Sequence, residues 1–238
     1  MTDPRRRAGI TLPAHEDLQA WLALQRETTG RVHPSWFPDL PADLIVHARK
    51  SPLGRRWLAN RLARVSPLLF GIPHETESIP ARNLRNTEWL RTCLHDVVEC
   101  ALDLGSLTLA VTVRTMVTRS EVIRLRAVLG AERYERLLFA APSTASVGTP
   151  ARFRAGAHGT TDYRGDDLAE RLLRSGAHEL AAYAATLHPA LCESVRLSLE
   201  CNWWDIEDTA SLTPAAVESC LRLRSEHLKD AALADTGT

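Results

Sequence analysis

Leu104 to Phe139, LGSLTLAVTVRTMVTRSEVIRLRAVLGAERYERLLF, decides how this chain is read. Its second half holds two punctuated helical units. Thr118-x-x-Glu121 has the form of a capping box, in which a hydroxyl and a carboxylate reciprocally satisfy the first free N–H groups of a helix. Val122, Leu125 and Leu129 then line one side, up to Gly130, which suits the left-handed cap that closes a helix. Ala131 restarts the pattern. Tyr134, Leu137, Leu138 and Ala141 keep the i, i+3, i+4, i+7 spacing until Pro142. The first half reads two ways. Leu107, Leu109, Val111 and Val113 alternate as in a strand, yet Leu109, Val113, Met116 and Val117 also share a helical face. Periodicity leaves both open.

Upstream of this stretch the spacing of Leu90, Cys93, Leu94, Val97, Val98, Ala101 and Leu102 predicts the longest clear helix, starting near Thr87 and ending at Gly105. Ser51-Pro52 supplies an N-cap followed by proline in the first turn, opening a helix with Leu53, Trp57, Leu58 and Leu62. Pro41 to Lys50 forms a shorter helix with Leu44, Ile45 and Ala48 inward. The first helix runs from His15 to Thr28 on Leu18, Trp21, Leu22 and Leu24, and Gly30 stops it. Between them, His33-Pro34-Ser35-Trp36-Phe37-Pro38 is turn-rich, since each proline moves the preceding residue away from helical geometry. Trp36 and Phe37 are core anchors or a contact site. Ser66 to Pro80 reads as a connection with an apolar tuck at Leu68, Leu69 and Phe70.

Downstream, residues 143–165 contain small residues, Pro150, four glycines and three arginines without hydrophobic period, as expected of a flexible loop or linker. Helices resume at Asp166, stop at Gly176, and restart from Ala177 to Leu187. Pro189 begins another piece with Leu191, Val195, Leu197 and Leu199. Cys201-Asn202-Trp203-Trp204 is a strand or an irregular anchor, and Thr213-Pro214 caps a last helix reaching Leu233. The predicted fold is therefore mostly α: a single multi-helix globular domain with room for a short strand or two. Residues 1–142 form an N-terminal and central helical region, and 166–238 a C-terminal helical region packed on the same body.

Lys+Arg and Asp+Glu each number 29, so no global field draws the chain to nucleic acid or an anionic surface. Local patches remain. Arg55, Arg56, Arg61 and Arg64 surround one helix, either as its solvated side or as a site for phosphate or an acidic partner face. The N-terminus lacks the apolar core of a signal peptide, and no window is long and apolar enough to span a bilayer. The five cysteines lack framework spacing, which fits buried thiols in a reducing cytoplasm.

Catalytic patterns are incomplete. His178-Glu179 begins like a zinc-protease helix, but Ala182 stands where the second ligand would be. Cys93 and Cys100 share a face about 10 Å apart by helical rise, with His95 pointing elsewhere. There is no P-loop and no G-x-S-x-G elbow. Neither a cofactor nor a metal is expected.

Leu104-Gly105, Val113-Arg114, Val117-x-Arg119, Glu121-Val122, Leu125-Arg126, Leu129-Gly130 and Tyr134, together with His33-Pro34-Ser35-Trp36 and the leucine-spaced Leu180 to Leu199 region, carry a resemblance. On these residues the chain resembles the SctK (YscK, OrgA, MxiK) family, the cytoplasmic sorting-platform adaptors of bacterial type III secretion systems. The likeness covers residues 30 to 200 in patches. The 143–165 insertion and Cys201 to Trp204 depart from the family pattern. The resemblance implies a non-enzymatic helical adaptor at the cytoplasmic face of the inner membrane. It would link the cytoplasmic domain of the inner-membrane ring protein to the pod protein that carries the export ATPase complex, and it favours helix over strand for Leu107 to Val117. His33, Trp36 and the outward Arg119, Arg124, Arg126 and Arg133 are the candidate partner-binding residues. Two competing readings are a helix-turn-helix DNA-binding regulator built around Gly130 and an enzyme assembled around His33, His95 or His178. Glu132 and Glu135, beside Arg133 and Arg136 in the second helix, weigh against nucleic acid.

Overall fold

A computed structural model describes residues 15–71, 87–108, 119–139, 165–204 and 212–235. These are mostly helical, with no strand among the described residues. The helices are α1 (His15–Arg31), α2 (Ala42–Lys50), α3 (Pro52–Val65), the single turn α4 (Pro67–Phe70), α5 (Glu88–Cys93) and α6 (Val97–Thr108). They continue as α7 (Arg119–Leu129), α8 (Ala131–Phe139), α9 (Gly165–Leu187), α10 (Pro189–Leu197) and α11 (Pro214–Asp235). Single 3-10 turns stand at Pro34–Trp36, Leu94–Asp96 and Cys201–Trp204.

Several boundaries follow from local chemistry as predicted. The Ser51 hydroxyl accepts the Gly54 N–H at 3.0 Å with Pro52 in the first turn of α3. Thr213 accepts the Ala216 N–H at 3.3 Å ahead of α11. Gly130 takes φ +80° between α7 and α8, where a side chain would be strained. His188 caps α10 through Nδ1, which accepts the Ala190 N–H at 3.1 Å; burial lowers the imidazole pKa and keeps that nitrogen unprotonated. Thr118 of the predicted capping box and residues 109–117 of the ambiguous segment lie outside the described residues. Leu107 and Thr108 complete α6 as helix.

Three glycines predicted to stop helices do not. Gly30 lies within the last turn of α1, and Gly105 lies inside α6. Gly176 lies inside α9, which is one helix of 23 residues rather than two, and is longer than any helix near Thr87. The predicted Thr87 helix is itself divided by the 3-10 turn at Leu94–Asp96. Gly105 and Gly176 face each other where α6 crosses α9. A Cβ on Gly176 would lie 1.7 Å from the Ala101 carbonyl oxygen, and one on Gly105 would lie 1.9 Å from that of Leu172. Only bare backbones fit at this distance. The interior glycines, which each cost a helix about 1 kcal/mol of propensity, are here the condition for close packing.

This crossing joins two apolar clusters. The larger gathers Leu24, Ile45, Leu58, Leu62, Leu104, Leu180, Leu191 and Leu221, among others. The smaller consists of Leu125, Leu129, Tyr134, Leu137, Leu168 and Leu172. The Leu104 to Phe139 stretch therefore spans both clusters, and α9 is the helix on which they meet. Leu44, Val98 and Leu138 are exposed, although their spacing placed them inward. Leu18 and Leu22 on α1 are exposed as well, leaving Leu24 as its fully buried apolar residue. Cys93 and Cys100 are buried free thiols as expected. The 3-10 turn lies between them, and the Cys100 thiol donates to the Cys93 carbonyl at 3.1 Å. Cys192, Cys201 and Cys220 are only partly buried, against the expectation for all five.

Candidate interaction surfaces

The His33–Trp36 turn is fastened to the end of α10 and the turn that follows it. The His33 N–H donates to the Leu197 carbonyl at 2.7 Å, and Trp36 Nε1 donates to the Leu199 carbonyl at 3.0 Å. Ser35 Oγ accepts the Cys201 N–H at 2.9 Å and lies 2.9 Å from His33 Nδ1. That nitrogen also accepts the Ser35 N–H at 3.3 Å, the arrangement of a neutral ring. Burial lowers the His33 pKa, Glu200 opposes this, and Arg49 adds to it. Cys201–Trp204 is thus not a strand but an anchor: it is a 3-10 turn that buries Trp203 in the core and receives the His33–Trp36 turn.

The Arg196 guanidinium stands about 6 Å from two indole rings, at 6.0 Å from Trp36 and 5.9 Å from Trp204, and pairs with Glu193 at 2.8 Å. His178 lies 5.1 Å from the Trp204 ring, with Nε2 3.0 Å from the Trp203 carbonyl oxygen. Trp36, Arg196, Trp204 and His178 form a continuous, half-exposed aromatic and cationic surface. Trp36 is both an anchor and a surface residue, since its indole N–H is used internally while part of the ring meets solvent. Trp36→Ala is expected to lose the bond to Leu199 and part of a large apolar contact, about 2 kcal/mol. Thermal unfolding checks this; unchanged melting with lost partner binding would make Trp36 an interface residue alone.

The four arginines of the central stretch do not form one patch. Arg119 is exposed at the start of α7. Arg124 is also exposed, and it is already engaged in a contact. Arg126 stands 5.8 Å from the Tyr134 ring and 3.8 Å from Glu135. Arg133 is not outward. Its side chain is 16% exposed and binds both Asp103 and Glu99 of α6. Burial lowers its pKa, and the two carboxylates more than offset that, leaving it above the usual guanidinium value. Asp103 also receives Arg224 of α11 at 2.7 Å, and Arg224 reaches Asp96 at 3.2 Å. This knot ties α6, α8 and α11 together, so Arg133 is a structural residue. No local pattern marks it, because its partners are 30 and 34 positions away.

The histidines considered for catalysis are divided. His95 is exposed on the turn between α5 and α6, away from His33 and His178. Glu179 is buried and accepts the Leu212 N–H, positioning the start of α11. Among the described residues no three His, Cys, Asp or Glu side chains converge as metal ligands. A shallow cavity of about 270 Å³ is lined by Trp89, Tyr183, Glu218 and Arg222. Its polar groups satisfy one another: Arg222 lies 4.8 Å from the Trp89 ring and 2.7 Å from Glu218. Burial and then Glu218 push the Tyr183 pKa up to about 12. No helix among the described residues is long and apolar enough to cross a membrane.

Comparison with known proteins finds no matching family model, no matching curated protein and no matching solved structure.

Proposed function

We propose that this chain is a non-enzymatic adaptor of a bacterial type III secretion system, of the SctK kind, acting at the cytoplasmic face of the inner membrane. It bridges the cytoplasmic domain of the ring protein and the pod protein of the sorting platform. The observation that carries the reading is the placement of the residues behind the resemblance. Leu104 and Gly105 stand at the α6–α9 crossing, Leu125, Leu129 and Tyr134 belong to the second cluster, and His33–Trp36 is bound to the end of α10 and the turn that follows it. They build a scaffold rather than a reaction site. That scaffold leaves separate surfaces beside different clusters: the Trp36–Arg196–Trp204 face on the larger and α7, with Arg119 and Arg126, on the smaller. A bridging protein needs such separation. Nothing about α8 favours the DNA alternative, because Arg133 is held internally while Glu132 and Glu135 face solvent.

Pull-down of the purified chain with ring and pod proteins encoded in the same genome is expected to retain both. Failure to retain either would sink the proposal.

A further inference from the structure

Helix α3 carries Arg55, Arg56, Arg61 and Arg64 and no carboxylate. Other helices of the fold answer their arginines locally, as in Glu132–Arg136, Glu170–Arg174 and Glu218–Arg222. In α3 no such answer exists. Arg61 reaches Asp39 in the turn before α2, while Arg56 and Arg64 have no ion-pair partner among the described residues. The preceding helix ends in Lys50 and contributes Asp43 as its one acid.

The buried side of α3 is set by Leu58 and Leu62. Helical geometry then places two adjacent columns outside, Leu53–Trp57–Arg61 and Arg56–Asn60–Arg64, each with a spacing of four. Leu53 is 78% exposed and Trp57 39%. The Trp57 ring lies 5.5 Å from the Arg61 guanidinium, a cation–π distance. The apolar pair Leu53–Trp57 thus lies beside a basic column, and the two columns together occupy ~16 Å of helix rise from residue 53 to residue 64.

Charge and shape together select the occupant. A phosphate would answer the arginines and leave Leu53 and Trp57 in water. A membrane surface requires a helix whose broad apolar face is free, and α3 has committed Leu58 and Leu62 to the core. A second helix carrying leucines in one column and Asp or Glu in the next matches both columns at once. We infer that the outer face of α3 is a docking site for an acidic amphipathic helix of a partner protein. This inference does not rest on the secretion-system reading.

The test uses the full chain and a fluorescent peptide of about 15 residues, a length that spans the site. The peptide has leucines in one helical column and glutamates in the adjacent one; a second version carries lysines for glutamates. Saturable anisotropy change with the glutamate peptide at low salt, weakened at high salt, is expected. Leu53→Glu is expected to weaken it roughly tenfold or more, as burial of one leucine would imply. Arg56→Glu with Arg64→Glu is expected to lose the glutamate peptide and gain the lysine peptide. Several results would overturn the inference. These are no binding by the wild type, binding unchanged by these substitutions, or a doubly substituted chain that takes neither peptide. Binding to phosphatidylglycerol vesicles in preference to the peptide would also overturn it, as would self-association that Leu53→Glu dissolves.

Discussion

Alanine at position 176 will destabilise the fold by about 2–3 kcal/mol, despite being the better helix former, because overpacking outweighs the propensity gain. The added Cβ would lie 1.7 Å from the Ala101 carbonyl oxygen and 2.6 Å from the Gly105 nitrogen, and both are backbone atoms that no rotamer change can move. α6 and α9 must separate, and the two apolar clusters that meet on α9 separate with them. For a chain of this size the loss corresponds to roughly 5–10 °C in Tm. Gly105→Ala acts on the same contact, so the double variant should cost clearly less than the sum of the single ones. Thermal and urea unfolding of the three variants checks both statements. A neutral or stabilising Gly176→Ala would mean that the helices do not touch there.

Removal of the Asp103 carboxylate should be the more damaging change. Asp103 is 5% exposed and lies between Arg133 and Arg224, on two helices that are remote from each other in sequence. Asp103→Ala leaves Arg133 with Glu99 alone and Arg224 with Asp96 alone, both part-exposed carboxylates, and removing the buried partner of such a network costs about 3–5 kcal/mol. Arg133→Met should cost less, because Arg224 still answers Asp103. The expected order of stability is wild type, Arg133→Met, Asp103→Ala, read from urea midpoints. An Asp103→Ala loss of about 1 kcal/mol or less would place this network with ordinary surface pairs.

The helices themselves are legible in the sequence wherever a local signal sets them. Ser51-Pro52, Thr213-Pro214 and Gly130 mark ends that the structure keeps, and Ile45, Leu58 and Leu62 are buried as their spacing predicts. Glycine is where local reading fails, because a capping glycine and a close-packing glycine look alike until the neighbouring helix is known. At Gly105 and Gly176 the backbone that fills the place of a Cβ belongs to the other helix, at Leu172 and Ala101, so no local window shows it. Exposure of Leu44, Val98 and Leu138 depends on which helices arrive, and no single periodic window contains that information.

The interaction surfaces divide along the same line. Trp36 was legible as a large side chain in a turn, but its partners, Leu199 and Arg196, are more than 150 positions away. Arg133 was misplaced for the same reason, since its orientation is fixed by Asp103 and Glu99 on another helix. The basic character of α3 was visible throughout. What the fold adds is that Leu53 and Trp57 lie uncovered in the column beside Arg56 and Arg64.

The proposed bridging role is tested most directly by multi-angle light scattering of the purified chain with the ring protein's cytoplasmic domain and the pod protein, singly and together. Two binary complexes and one ternary complex containing all three proteins are expected. Mutually exclusive binding, or complexes with neither protein, would contradict it.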